Sequence, residues 1–243
     1  MEYSQKKINF LNGIYDLDKK MFNRFDNKTS ITNVGYDYDP DNNEYCQEID
    51  IFLEQIMPDK ETREYVLDVV SQCLSGNNNL EVHHILIGSE NNGKSVFANL
   101  IMKTFGRYFA AYERDCTENS DFRNIRVGFF EEINSGFMKL LVGGDSLCYT
   151  DKEECHIYKP EMQVFSVVNC IKSEDKDESY WRRTRIIHFP TIFNSLENKN
   201  LFNKMDKWKQ TFINKLITRY KNENPKVPEL VMKNTKAVYK LRL

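Results

Sequence analysis

The sequence predicts an α/β fold, a central and mainly parallel sheet flanked by helices, with an N-terminal β/helical extension and a helical C-terminus. Three observations point there. Residues 82–189 alternate short apolar runs with helix-periodic stretches, as crossover-connected strands do. A glycine-rich octet, Gly88 to Ser95, sits between one such run and one such stretch. The 243 residues are 40% hydrophobic and 13% aromatic, enough for one large domain or two small ones, and unlike disordered, collagenous or coiled-coil chains.

Residues 1–43 read as an extended arm or small sheet. Ile8 and Phe10, then Ile14, Tyr15 and Leu17, flank the hairpin signal Asn12-Gly13. Residues 44–80 read as a helical hairpin: Ile49, Phe52, Leu53 and Ile56 fall at helical spacing before Pro58, and Asp59 caps a second helix that Gly76 stops. Residues 81–193 are the core, with strands expected at 82–87, 125–130, 164–168 and 185–189 and a helix at 94–105. In residues 194–243, Leu201, Met205, Trp208, Phe212, Leu216 and Tyr220 stand three or four apart, the mark of an amphipathic helix over 200–220.

The net charge of −2 is unevenly placed, since residues 199–243 carry +9 and the rest −11. That basic end could meet a polyanion, or could be the solvated face of a helix. Six cysteines include no C-x-x-C, and the four histidines do not bracket them at zinc-like spacings, so reduced packing thiols and no zinc are expected, with Cys155-His156 read as strand positions. No apolar run approaches the roughly 20 residues of a membrane span, and Met1 to Lys6 lacks a signal-peptide core. A soluble, cytoplasmic protein with no membrane partner is expected.

Gly88-Ser89-Glu90-Asn91-Asn92-Gly93-Lys94-Ser95 matches G-x-x-x-x-G-K-[ST], the phosphate-binding loop, or Walker A motif. Gly88, Asn92 and Gly93 belong to a backbone wrap that turns N–H groups inward. Lys94 reaches the β- and γ-phosphates, and the Ser95 hydroxyl completes a Mg²⁺ shell. The apolar run His84 to Ile87 before the octet and the helical stretch after it supply the strand and helix the motif requires. ATP and Mg²⁺ are the expected ligands.

A second acidic site decides what such a loop does. Ile125 to Phe130 is an apolar strand ending in Glu131-Glu132. Glu131 would stand near Mg²⁺, and Glu132 where it polarises a water against the γ-phosphate, a pairing that favours hydrolysis over transfer; a solvated acidic pair opening a turn is the plainer reading. Asn169 ends the next strand and could hold that water, or be an ordinary turn residue. Arg182, Arg183 and Arg185 cluster at a strand entrance, either to reach a neighbour's γ-phosphate or to pair with Asp175, Asp177 and Glu178.

The full order is the octet, the Glu-Glu strand, Lys139 ahead of Gly143-Gly144-Asp145, a strand to Asn169, and Trp181-Arg182-Arg183. It resembles the superfamily 3 helicases, and most closely the helicase half of the poxvirus-type primase-helicases of large DNA viruses, phages and plasmids; the likeness covers nearly the whole chain. The resemblance implies an AAA+-like ATPase with ATP and Mg²⁺ at Gly93, Lys94, Ser95 and Glu131. It makes Glu132 the general base, Asn169 a water sensor and Arg183 a finger acting in trans, with Arg182 the fallback. It further implies hexameric rings of identical subunits around single-stranded DNA and a primase domain or subunit as partner. Residues 147–158 read as two strands around a charged tip, the hairpin the family points into its pore, with Lys152 the DNA contact. Acidic neighbours of Lys152, and a stretch between Phe105 and Ile125 shorter than the family's, are departures.

Rival readings are a small-molecule kinase, which gives no reason for the Glu-Glu strand, and a non-motor DNA-binding remnant. Asn203-Lys204-Met205-Asp206 spells a guanine-reading motif, but inside the predicted helix rather than at a strand end.

Overall fold

The computed structural model describes residues 6–25, 32–112, 120–131, 133–151, 154–171, 177–193 and 201–240. The N-terminal arm is an antiparallel meander of β1 (Lys7–Phe10), β2 (Gly13–Asp16) and β3 (Met21–Arg24) that turns first at Leu11-Asn12, one residue earlier than the Asn12-Gly13 signal suggests, with Gly13 already in β2. The helical hairpin follows as α1 (Cys46–Ile56) and α2 (Lys60–Gln72). Asp59 caps α2, its carboxylate accepting the Thr62 N–H at 2.8 Å and so satisfying one open donor of the first turn.

The core then runs β4 (His83–Ile87), α3 (Lys94–Phe105), β5 (Phe109–Tyr112), β6 (Val127–Phe130), α4 (Ser135–Gly143), the hairpin β7 (Leu147–Asp151) and β8 (Glu154–Tyr158), β9 (Gln163–Val168), α5 (Glu178–Arg182) and β10 (Thr184–His188). Helices α6 (Met205–Arg219) and α7 (Glu229–Lys240) close the chain. Five strands form one sheet in the order β10-β4-β9-β6-β5, every neighbouring pair parallel. Strand periodicity sends Leu86, Phe129, Phe165 and Ile187 to a face covered by α1, α2, α3 and α6, and Ile85, Phe130, Val164 and Ile186 to a face covered by α4 and α5.

An aromatic row crosses the first face. His84 stacks on Phe165 (5.3 Å), Phe165 on Phe129 (5.1 Å), and Phe129 meets Phe109 (5.3 Å). The Tyr65 hydroxyl closes the row with a 2.9 Å hydrogen bond to His84 Nε2. Complete burial pulls the His84 pKa down to about 3, so the ring is neutral, and His83 and Arg185 add to the effect.

Some features depart from the sequence reading. Strand β5 was not anticipated; it is a half-exposed edge strand in the stretch that looked abbreviated. Helix α7 covers the other edge. Its Thr235 hydroxyl accepts the Ile186 N–H at 3.0 Å and donates to Val231 O at 2.8 Å, so an edge-strand donor is paired rather than left for another chain. The expectation of reduced thiols is corrected at one pair: Cys148 and Cys155 form a disulfide across β7–β8, Cα atoms 5.9 Å apart. They sit on a diagonal, Cys148 opposite Ile157 and Cys155 opposite Thr150, a closeness that only the hairpin register creates. Cys73 is a buried packing thiol, and His156 is a strand position.

The basic C-terminal segment turns part of its charge toward the acidic helical hairpin. Lys204 pairs with Glu48 (3.1 Å), Lys215 with Asp50 (2.6 Å), and Arg219 with Asp68 (2.6 Å) and Glu64. Among the described residues no helix is long and apolar enough to cross a membrane.

Candidate functional site

The octet folds as its pattern requires. β4 ends at Ile87, residues 88–93 wrap, and α3 starts at Lys94. Gly93 has φ 86°, and a Cβ there would lie 2.4 Å from Ile56 Cγ2, so neither the conformation nor the close approach of α1 admits a side chain. Gly93 at the N-cap has no side chain with which to cap α3, so beyond the Lys94 N–H, which Asn92 Oδ1 accepts at 3.3 Å, the first-turn N–H groups and the positive dipole end face an incoming anion. The Lys94 ammonium is drawn into the curl of the loop by the carbonyls of Gly88 and Ser89, each at 2.7 Å, and by Asn92 Oδ1 at 2.9 Å. Burial lowers its pKa below the usual lysine value, with nearby Glu90 opposing the shift.

In a parallel sheet the carboxyl ends of all strands share one edge, where ligands of open α/β sheets bind. Glu131 follows β6 there and Asn169 follows β9. A cavity of about 790 Å³ brings Asn92, Gly93, Lys94, Ser95, Glu131 and Asn169 together. The donor set fits a magnesium nucleotide: an ammonium and helix N-terminus for phosphates, a hydroxyl and a carboxylate for a hard cation. Glu132 lies outside the described residues. Sequence reading missed Asn99, four residues past Ser95 and therefore on the same face of α3, which lines the cavity with a buried Oδ1 that has no partner among the described residues. It also missed the apolar flank of Met102, Phe109, Phe129 and Phe202.

Arg182 and Arg183 stand at the opposite edge. Arg183 immediately precedes β10, whose first residue pairs with His83 at the start of β4, and the Arg183 carbonyl accepts the His83 N–H at 2.7 Å. Neither Arg182 nor Arg183 pairs with Asp177 or Glu178, because Asp177 caps α5 and takes Lys139 at 2.6 Å, a bond that holds its pKa down at about 2. The β7–β8 hairpin emerges at this edge too, just before β9 begins. Its Tyr149 ring lies 4.9 Å under the Arg123 guanidinium, while Lys152 at its tip is outside the described residues. In the guanine-like tetrad Met205 is buried at the start of α6 and Asp206 pairs with Lys103 at 3.1 Å, so the tetrad belongs to a helix entrance and not to a strand end.

No family model matches the chain. It is 31% identical over 274 aligned positions, covering 94% of this chain and 28% of the relative, to "Putative helicase L207/L206" of Acanthamoeba polyphaga mimivirus. It is 28% identical over 216 positions, 76% of this chain and 23% of the relative, to "Putative helicase 121R" of Invertebrate iridescent virus 3. The chain thus spans about a quarter of the length of these curated relatives. Among solved structures, the apo C-terminal region (305–718) of NrS-1 shares the fold with a TM-score of 0.59 at 12% identity, over 81% of this chain and 51% of that one.

Proposed function

Since the chain is a homologue of helicase-named proteins of large DNA viruses, we propose that it is the motor part of an ATP-driven DNA helicase or translocase of the superfamily 3 kind, hydrolysing ATP between the subunits of a hexameric ring around single-stranded DNA. The observation that carries the reading is the convergence of Lys94, Ser95, Glu131 and Asn169 on one cavity, with the arginines and the hairpin at the far edge of the same sheet.

Lys94 and the α3 N-terminus bind the phosphates, and Ser95 with Glu131 holds Mg²⁺, which supplies charge neutralisation for the departing phosphate. Glu132 takes the proton of the attacking water while Asn169 orients it. Arg183 of one subunit meets the γ-phosphate of the next, with Arg182 as the alternative. The hairpin presents Lys152 to DNA, and a primase domain or subunit completes the replicative assembly. Lys233, Lys236 and Lys240, on the outward face of α7 and free of ion pairs among the described residues, are a second polyanion contact.

The test is phosphate release from Mg·ATP by the purified chain, with and without single-stranded DNA, beside Lys94→Ala. Release stimulated by DNA and absent from the variant supports the motor. Equal release by Lys94→Ala refutes the site. A wild-type chain that binds DNA but never turns over ATP supports the non-motor remnant instead, and transfer to a small acceptor only supports the kinase.

A further inference from the structure

Asn92 behaves unlike a phosphate ligand. Its side chain is 2% exposed, and both ends of its amide are engaged by the protein. Nδ2 donates to the Phe189 carbonyl, one residue past β10, at 3.1 Å. Oδ1 accepts the Lys94 backbone N–H at 3.3 Å and the Lys94 ammonium at 2.9 Å. An ammonium carries three protons, so Asn92 together with the Gly88 and Ser89 carbonyls saturates it. Gly88 makes room for this arrangement: a Cβ there would lie 2.2 Å from Asn92 Nδ2 and 2.5 Å from Phe189 O. Two backbone bonds reinforce the seam, Phe189 N–H to Ile87 O at 2.8 Å and Phe193 N–H to Asn91 O at 2.7 Å.

We propose that Asn92 is a positioning residue that stores the Lys94 ammonium inside the loop until phosphate arrives and fastens the loop to the segment leaving β10. The inference rests on the nucleotide-binding reading and adds a role to it. A polyphosphate takes Lys94 away from neutral acceptors, an exchange that favours the anion. Asn92 cannot follow the ammonium, because its other end is tied to Phe189. It keeps the Lys94 backbone N–H, so the wrap survives the exchange. Asn92 therefore sets how tightly nucleotide binds and leaves the chemical step alone.

The test measures Kd for Mg·ADP together with kcat and KM for ATP in the wild-type chain, Asn92→Ala, Asn92→Asp and Gly88→Ala. Asn92→Ala should raise Kd and KM about tenfold with kcat within about twofold, because without its bonds to the Lys94 N–H and the Phe189 carbonyl the free loop relaxes and nucleotide must reorder the wrap, a cost that outweighs the bond to the ammonium that nucleotide breaks in the wild type. Asn92→Asp, which pairs Lys94 with a full negative charge in the space phosphate must enter, should weaken binding more than Asn92→Ala. It carries the test if the alanine variant does not fold. Gly88→Ala displaces the amide without removing it and should reproduce the loss of affinity. A wild-type chain that binds no nucleotide overturns the nucleotide reading itself. Wild-type binding with unchanged Kd in Asn92→Ala and Gly88→Ala overturns only the role of Asn92. A tenfold or larger fall in kcat at constant KM also overturns it, by placing the residue in the chemistry.

Discussion

Arg183 offers a prediction whose size follows from the sheet. β10 has five residues and runs parallel to β4, with Thr184 opposite His83 and His188 opposite Ile87, so Arg183 and Gly88 lie at opposite ends of one strand length. Six rises of about 3.3 Å make that separation roughly 20 Å. An arginine side chain of bonds near 1.5 Å reaches about 7 Å. Arg183 therefore cannot touch the nucleotide of its own subunit, and a role in hydrolysis has to be played on a neighbour's. Arg183→Ala should bind ATP normally and lose about 10³-fold or more in kcat, as when a finger is removed. Mixing it with Lys94→Ala should restore activity, because a Lys94→Ala subunit lends its intact arginine to a neighbour with an intact loop. For random closed rings at a one-to-one ratio about a quarter of the contacts pair the two intact halves, so phosphate release should peak there near a quarter of wild type and fall on either side. Native mass measurement must show mixed assemblies. Mixed assemblies with no recovered turnover at any ratio would falsify the trans role of Arg183, as would full activity of Arg183→Ala alone.

Glu132→Gln should retain ATP binding and lose about 10² or more in turnover, as expected for a positioned base; lost binding in an equilibrium titration would assign Glu132 to structure instead. Thr235→Val keeps the shape of α7 but strands the Ile186 N–H at the β10 edge, so urea unfolding should show about 1–3 kcal/mol of lost stability at constant m-value, and an unchanged midpoint would mean that water replaces the hydroxyl. His84 titrates at about 3 in the fold and near 6.5 unfolded. The unfolded state then binds more protons throughout that interval, so its contribution is complete above pH 6.5 and is lost as pH falls toward 3, about 2 kcal/mol of it by pH 5. His84→Gln, which can still bond Tyr65, should flatten the stability profile between pH 6.5 and 5; a profile as steep as wild type would assign the acid sensitivity to other groups.

The parts of the site that depend on short spacing were legible in the sequence. Strand, wrap and helix around Lys94 follow from eight residues and their neighbours, and the placing of Glu131 and Asn169 beside them follows from each ending an apolar run in a parallel sheet. The rest depends on pairings distant in sequence. Phe109-Ala110-Ala111-Tyr112 holds two alanines and no β-branched residue, a weak strand signal that an edge position tolerates because it asks for little burial. The second C-terminal helix was hidden by Pro228 and the lysines that follow, and its reason for being there is a strand edge more than forty residues earlier in the chain. The meeting of Lys204, Lys215 and Arg219 with acids of α1 and α2 also spans more than 150 residues, so charge counting along the chain could not separate a free basic surface from a neutralised one. Cys148 and Cys155 became partners only through hairpin register.

The row from Tyr65 through His84, Phe165 and Phe129 to Phe109 also has a mechanical meaning. Rings in van der Waals contact across β4, β9, β6 and β5 leave no slack, and a close-packed interior resists compression. In the proposed motor, a force delivered at the carboxyl edge by nucleotide would therefore be little absorbed between the strands and would tilt the sheet as one plate. Arg183 and the β7–β8 hairpin stand at the far edge of that plate, so under the same proposal a rotation at the loop would displace both. The sheet is a beam, and Phe129 with Phe165 is the part of it that must not bend.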